Sequence, residues 1–249
     1  VTITECAKNV FSTIAPTHTL FQRGGTVVEL VSGKNAALIL DIVSPDAFRS
    51  RLERYGRKIG RWIKHPKGGE FVLTERHCTK ETANALMATR EVSELLPPVN
   101  SLVNCPILAE VDGRLEVLGK GYHSVCGGVL VAQGDTPPLV CIDVAVKDLK
   151  EKVLGEFDFQ SGGDYSRAIA SLMTPALRMG GLLKGNIPVD VAEADKSQSG
   201  KTYRHKLICA VYNETASVIA DRKGGVGSAD ESFAQALIIG RPFIQFDNW

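Results

Sequence analysis

At 249 residues, with 44% hydrophobic and 23% charged residues and a formal net charge of +1, the chain is neither disordered throughout nor strongly polyionic, and it has room for one large or two ordinary domains. No apolar run approaches the roughly 20 residues that span a bilayer, and the opening VTITECAKNV lacks the basic-then-apolar pattern of a secretory signal, so a cytoplasmic protein without membrane contact is expected. The six cysteines (Cys6, Cys78, Cys105, Cys126, Cys141, Cys209) form no CxxC pair, which fits reduced thiols better than a disulfide framework.

In chain order, Leu20 to Val31 reads as two short extended runs around Gly24-Gly25, and Ala36 to Val43 as a third strand. Ser44-Pro45 supplies an N-cap and a first-turn proline for a helix from Asp46 to Tyr55, closed by Gly56. That helix opens the most basic part of the chain: Arg49, Arg51, Arg54, Arg57, Lys58, Arg61 and Lys64, interleaved with Phe48, Tyr55 and Trp62. Cations neutralise phosphates with release of counterions, and aromatic faces stack on bases, so Arg49, Arg51, Arg54, Arg57, Lys58, Arg61, Trp62 and Lys64 are candidate nucleic-acid contacts. The alternative is a solvated helix face with core aromatics.

Phe71 to Leu73 is a further short strand and Thr79 to Val92 a helix capped by Thr79. Ile107 to Leu118 is a hairpin turning at Asp112-Gly113, and Gly128 to Ala132 another strand. The glycines around Tyr122-His123 read as turn residues, and His123-x-x-Cys126 and His77-Cys78 supply too few ligands for zinc. GDTPP, Gly134 to Pro138, is the best linker. Helical spacing follows over Val144 to Phe157 and Gly163 to Leu183, the second kinked or split by Pro175.

From Ile187 the pattern becomes strand (187–192), loop, helix (200–212), strand (216–220), helix (228–239, capped by Ser228) and strand (242–246), an alternation that specifies a parallel sheet with helices over it. The loop Asp195-Lys196-Ser197-Gln198-Ser199-Gly200-Lys201-Thr202 has the form of a phosphate-binding loop. Successive backbone N–H groups wrap a polyphosphate, the helix N-terminus adds positive dipole, Lys201 reaches the outer phosphates and Thr202 offers its hydroxyl to Mg2+. Asp195 stands where that pattern has glycine. The bland reading is a polar loop that caps a helix. Downstream, Phe243-Ile-Gln-Phe-Asp247 is an apolar strand ending in a carboxylate, the arrangement in which the acid holds Mg2+. Asn248 follows where a catalytic Glu is usual; it orients water but accepts no proton. Glu231 is a candidate substitute base, and the cationic loop Arg222 to Gly227 reads either as a contact for phosphate or nucleic acid or, the reading preferred, as a loop that needs glycine for its turns.

The run ADKSQSGKTYRHKLICAVY followed by RKGGVGSADESFAQALIIGRPFIQFDN, with Asp164 to Ser171 and GYHSVCGG upstream, resembles the ATPase module of phage- and plasmid-type replication proteins of the AAA+ class. The resemblance covers about Pro106 to the end. It implies ATP bound between subunits of a homo-oligomeric ring, ATP-driven translocation on DNA, Lys201 and Thr202 as the phosphate-loop pair and Asp247 as the magnesium-side acid.

The expected fold is thus α/β, a P-loop NTPase with a partial parallel sheet, preceded by an α+β N-terminal region. The expected domains are an α+β region over 1–133 that is a candidate for DNA contact, a linker and helical lead-in over 134–186, and the truncated first half of a P-loop domain over 187–249. A start at Val1 and a stop at Trp249, directly after a strand, suggest a truncated piece, inactive alone, of a DNA helicase or replication ATPase of a mobile element. Lys201 and Asn248 are the catalytic candidates, and ATP and Mg2+ the cofactors. The alternative is a non-catalytic DNA-binding or assembly module with a degenerate loop.

Overall fold

Apolar residues at Ala7, Val10, Phe11 and Ile14 recur at helical spacing, and in the computed structural model they line the buried face of α1 (Ile3–Ile14). The structure describes residues 2–33, 38–55, 59–65, 68–192, 200–220 and 228–247. The chain divides into two units, Val1–Val99 and Asn100–Trp249.

In the first unit α1 starts with a capping box: Thr2 Oγ1 accepts from the Glu5 N–H and the Glu5 carboxylate accepts from the Thr2 N–H. Strands β1 (Leu20–Arg23), β2 (Thr26–Ser32) and β3 (Leu38–Ile42) form an antiparallel sheet in that order. Gly24 and Gly25 have φ of 54° and 78°, the left-handed pair that a two-residue hairpin turn requires. Helix α2 (Pro45–Arg54) is capped by Ser44 as expected. The basic run that follows it, to which the sequence assigned no element, is strand β4 (Ile59–Lys64), paired antiparallel with β5 (Phe71–Arg76) from Ile59↔Arg76 to Lys64↔Phe71. The single helix expected over 79–92 is two, α3 (Lys80–Met87) and α4 (Glu91–Leu95). At their junction the Thr89 hydroxyl donates to the Leu86 carbonyl at 2.7 Å and offers the backbone an alternative to continuing the helix. Phe11, Ile14, Phe48, Leu52, Leu86 and Val92 meet in the core.

The second unit begins with β6 (Ser101–Val103), the hairpin β7 (Ile107–Val111) and β8 (Arg114–Leu118), then β9 (Gly121–His123) and β10 (Val129–Val131). Strand β10 pairs parallel with β6 and antiparallel with β9. Helix α5 (Ile142–Asp148) widens into a π-type turn over Leu149–Val153. Helix α6 (Gly162–Met179) runs unbroken through Pro175, where a kink or a split was expected. The proline opens the turn, and the Tyr212 hydroxyl inserts into it, donating to the Leu172 carbonyl and accepting from the Ala176 N–H. These are the two groups that a straight helix would join to each other. Gly180 ends α6 where a Cβ would lie 1.7 Å from the Leu108 carbonyl oxygen, so only glycine allows that close approach.

Helix α7 (Lys201–Val211), β11 (Ser217–Ala220), α8 (Ala229–Ile239) and β12 (Ile244–Asp247) complete the unit. Strands β11 and β12 are parallel, in register from Ser217↔Ile244 to Ala220↔Asp247, with α8 as their crossover. The strand expected over 187–192 is absent: those residues form no helix or strand, and Val189 and Val191 are 81% and 70% exposed. Alternation supplies strand propensity, but a strand needs a partner ladder, and no described strand pairs with this segment. The parallel sheet among the described residues of 187–249 is therefore the β11–β12 pair. The division between units falls upstream of the expected boundary at 133/134, because Val103, Ile107, Val129 and Val131 pack with Met179 and Phe243 of the C-terminal half.

Candidate nucleotide site

The helix that follows the expected phosphate loop is present. Gly200 precedes it with φ of 86°, a left-handed conformation that glycine adopts without strain, and its missing side chain offers the helix no N-cap. Lys201 and Thr202 are the first two residues of α7, with Thr202 exposed. Among the described helices of eight or more residues, α1, α2, α3, α6 and α8 each have a Ser or Thr side-chain cap, and α7 does not. Unfilled N–H groups at a helix start, with the dipole behind them, attract anions.

Asp195, Lys196, Ser197, Gln198 and Ser199 lie outside the described residues, as do Arg57, Lys58, Asn248 and the loop 222–227. Asp247 is the last residue of β12 and stands in register with Ala220, at the carboxyl end of the parallel pair. Glu231 is in the first turn of α8, where its N–H is capped by Ser228 Oγ at 3.3 Å.

Three features beside α7 had no counterpart among the sequence motifs. Asp190, which enters the loop, is tied to the start of α7 by Oδ1, which accepts from Arg204 Nη2 at 2.6 Å. Its Oδ2 lies 3.7 Å from His205 Nε2. That nitrogen is buried with no hydrogen-bond partner among the described residues, and burial, partly offset by Asp190, holds the His205 pKa below its ordinary value. The pair closes the two ends of the loop onto each other, fourteen residues apart.

The second feature is aromatic. Phe157 sits 6.0 Å from Tyr203 and 6.1 Å from Phe159 between ring centroids, and Phe159 packs edge-on against Tyr165 at 5.4 Å. A Cβ on Gly200 would be 3.9 Å from Phe157 Cε1, so this cluster adjoins the start of α7. The third feature holds the opposite ends of the helices. Glu214, just after α7, is fully buried; its oxygens accept from the Asn104 N–H at 2.6 Å, Asn104 Nδ2 at 3.2 Å and Arg241 Nη1 at 3.0 Å. Burial pushes the Glu214 carboxyl up while these donors pull it back. Arg241 follows α8, so one ion pair ties the carboxyl ends of α7 and α8 together. Two acids, two arginines and a histidine scattered over 190–241 have no diagnostic spacing, and only closure of the chain pairs Asp190 with Arg204 and His205, and Glu214 with Arg241.

The basic region belongs to the other unit. Arg49 donates Nε to the Cys78 carbonyl at 2.6 Å and Nη1 to Asp46 at 3.2 Å. Arg51 grips Glu29 with two bonds of 2.8 Å. Both therefore serve the fold of α2. Phe48 is fully buried against Phe11, and the Tyr55 hydroxyl bonds Thr19, so these two aromatics are structural. Arg54 and Lys64 are exposed, and Arg61 and Trp62 occupy β4 opposite Thr74 and Leu73. Across residues 54–76 there are seven Lys and Arg against two Glu.

Comparisons with protein-family models, with curated proteins and with solved structures give no match. Among the described residues no helix is long and apolar enough to cross a membrane, and no group of three His, Cys, Asp or Glu side chains forms a metal cluster.

Proposed function

We propose that the second unit binds ATP with Mg2+, and that the chain is the nucleotide-binding part of a ring-forming ATPase that moves DNA in the cytoplasm during replication of a mobile element. The observation that carries this is the start of α7. A glycine in the left-handed conformation leads into Lys201-Thr202 at the N-terminus of a helix of more than two turns with no side-chain cap among the described residues, the setting in which a polyphosphate finds backbone donors, dipole and ammonium together. In this reading Lys201 holds the outer phosphates, Thr202 and Asp247 hold the metal, and Phe157 and Tyr203 offer aromatic faces to the base. The Asp190–Arg204 pair keeps the loop ends together. Bound Mg2+ would neutralise charge developing on the transferred phosphoryl group. The β4–β5 ribbon, rich in cations, is the surface offered to DNA phosphates.

A titration with Mg2+-ATP tests the site: the chain is expected to bind, and Lys201→Ala to weaken binding at least about a hundredfold, about 2.7 kcal/mol. Saturable binding unaffected by that substitution, or no binding, would overturn the proposal. For DNA, Arg54→Glu with Lys64→Glu should lower affinity and flatten its salt dependence by about 0.9 for each phosphate no longer neutralised.

A second reading is a DNA-binding or assembly module without hydrolysis. It is favoured by the unpaired segment 187–192, which gives the loop no strand to rest on. DNA binding and assembly insensitive to Lys201→Ala would select it.

A further inference from the structure

Every residue from 133 to 144 is exposed, although this stretch contains Leu139, Val140, Ile142 and Val144. Leu139 is 95% exposed, Val140 61% and Ile142 74%. Residues 132–141 form no helix or strand, and Pro137-Pro138 hold the chain stiff and extended, which lowers the entropy lost on docking. Four large aliphatic side chains presented to water within six residues mark an interaction surface. The segment 133–143 carries Asp135 and Asp143 and no cation.

The same unit has a groove of about 1320 Å³ between the end of α6 and the approach to β12. Its apolar lining includes Pro175, Met179 and Phe243, and its cations are Arg178 and Lys184, with Glu110 the acid among its lining residues. Arg178 and Lys184 are both exposed, and Arg178 is steadied by donating Nη1 to the Leu183 carbonyl at 3.2 Å. An acidic, apolar, extended arm and a cationic, apolar groove are complementary in charge and chemistry.

We infer that the arm 133–143 of one copy docks in the α6–β12 groove of another, with its aliphatic side chains in the groove and Asp143 toward Lys184 and Arg178. The arm and the groove have no residue in common, so the contact is head-to-tail and builds a closed ring or an open chain of copies. The inference stands whether or not the unit binds ATP. It also brings together two exposed thiols: Cys141 is in the arm and Cys126 lines the groove.

The test uses the whole 249-residue chain. Light scattering across a concentration series is expected to show self-association. Leu139→Asp and Lys184→Glu should each weaken it at least tenfold, with the fold of each variant checked by circular dichroism. Lys184→Glu combined with Asp143→Lys should restore it. Treatment with diamide, which takes two electrons and two protons from a pair of thiols as the disulfide forms, should give a ladder of crosslinked multimers. That ladder should disappear with Cys126→Ser and with Cys141→Ser. A chain that stays monomeric overturns the inference, as does association indifferent to both single substitutions or a charge swap that restores nothing. A Cys126–Cys141 crosslink within one monomer also overturns it, since the groove would then hold its own arm.

Discussion

Helices α7 and α8 each consist of eleven residues, and their starts are treated in opposite ways. Helix α8 satisfies itself: Ser228 caps it, and Asp230 and Glu231 in its first turn answer its dipole. Helix α7 begins with glycine and lysine, has no acid in its first turn, and has no side-chain cap among the described residues. Their other ends are alike, joined through the buried Glu214–Arg241 pair. Among the described residues the second unit thus anchors both helices at one end and caps only one of them at the other.

Breaking the shared anchor should have the largest effect. Arg241→Met would leave Glu214 charged and buried beside Asn104 alone, and should destabilise the second unit by about 3–5 kcal/mol in denaturant unfolding. Next comes Gly200→Ala. A Cβ there meets only ordinary contact with Phe157, so the penalty is the left-handed backbone itself, about 1–2 kcal/mol, and ATP affinity should fall with it. Ser228→Ala should cost about 1 kcal/mol of stability and leave ATP affinity unchanged; an equal loss of affinity would erase the distinction between the two starts. The smallest effect concerns His205. Burial lowers its folded-state pKa, so the unfolded chain binds the proton more readily. Stability should therefore be unaffected above about pH 6.5 and decline as pH falls below it. His205→Asn should remove that decline, and pH-dependent unfolding of the two proteins measures it.

Several elements were legible because their signals are local. Ser44, Thr79 and Ser228 announce helices through capping chemistry, Asp112-Gly113 announces a hairpin, and the aliphatic spacing of 229–239 sets a helix between two strands. The start of α7 belongs here too, since Gly-Lys-Thr after a polar loop needs no distant partner to be read. Elements that depend on a partner were not legible. Strand β4 was hidden under its charges because its pairing with β5 lies across a turn. The alternation at 187–192 promised a strand that no described neighbour completes, and Pro175 promised a kink or a break, at which the Tyr212 hydroxyl, 36 residues beyond Ala176, joins the Leu172 and Ala176 backbone groups.

The basic run shows the same division inside one segment. Composition identified it as cationic, and the fold then assigned Arg49 and Arg51 to Cys78, Asp46 and Glu29 while Arg54 and Lys64 stayed exposed. By itself the amino-acid sequence determined where helices begin and where the chain turns, because capping and turn chemistry act between residues a few positions apart. Only the tertiary structure decided which charges are paired, that Asp190 closes on Arg204 and Glu214 on Arg241, and that Leu139 to Ile142 is exposed while a cationic groove stands elsewhere on the same unit. Burial and ion pairing are properties of what the chain brings together across long separations, and no local pattern records them.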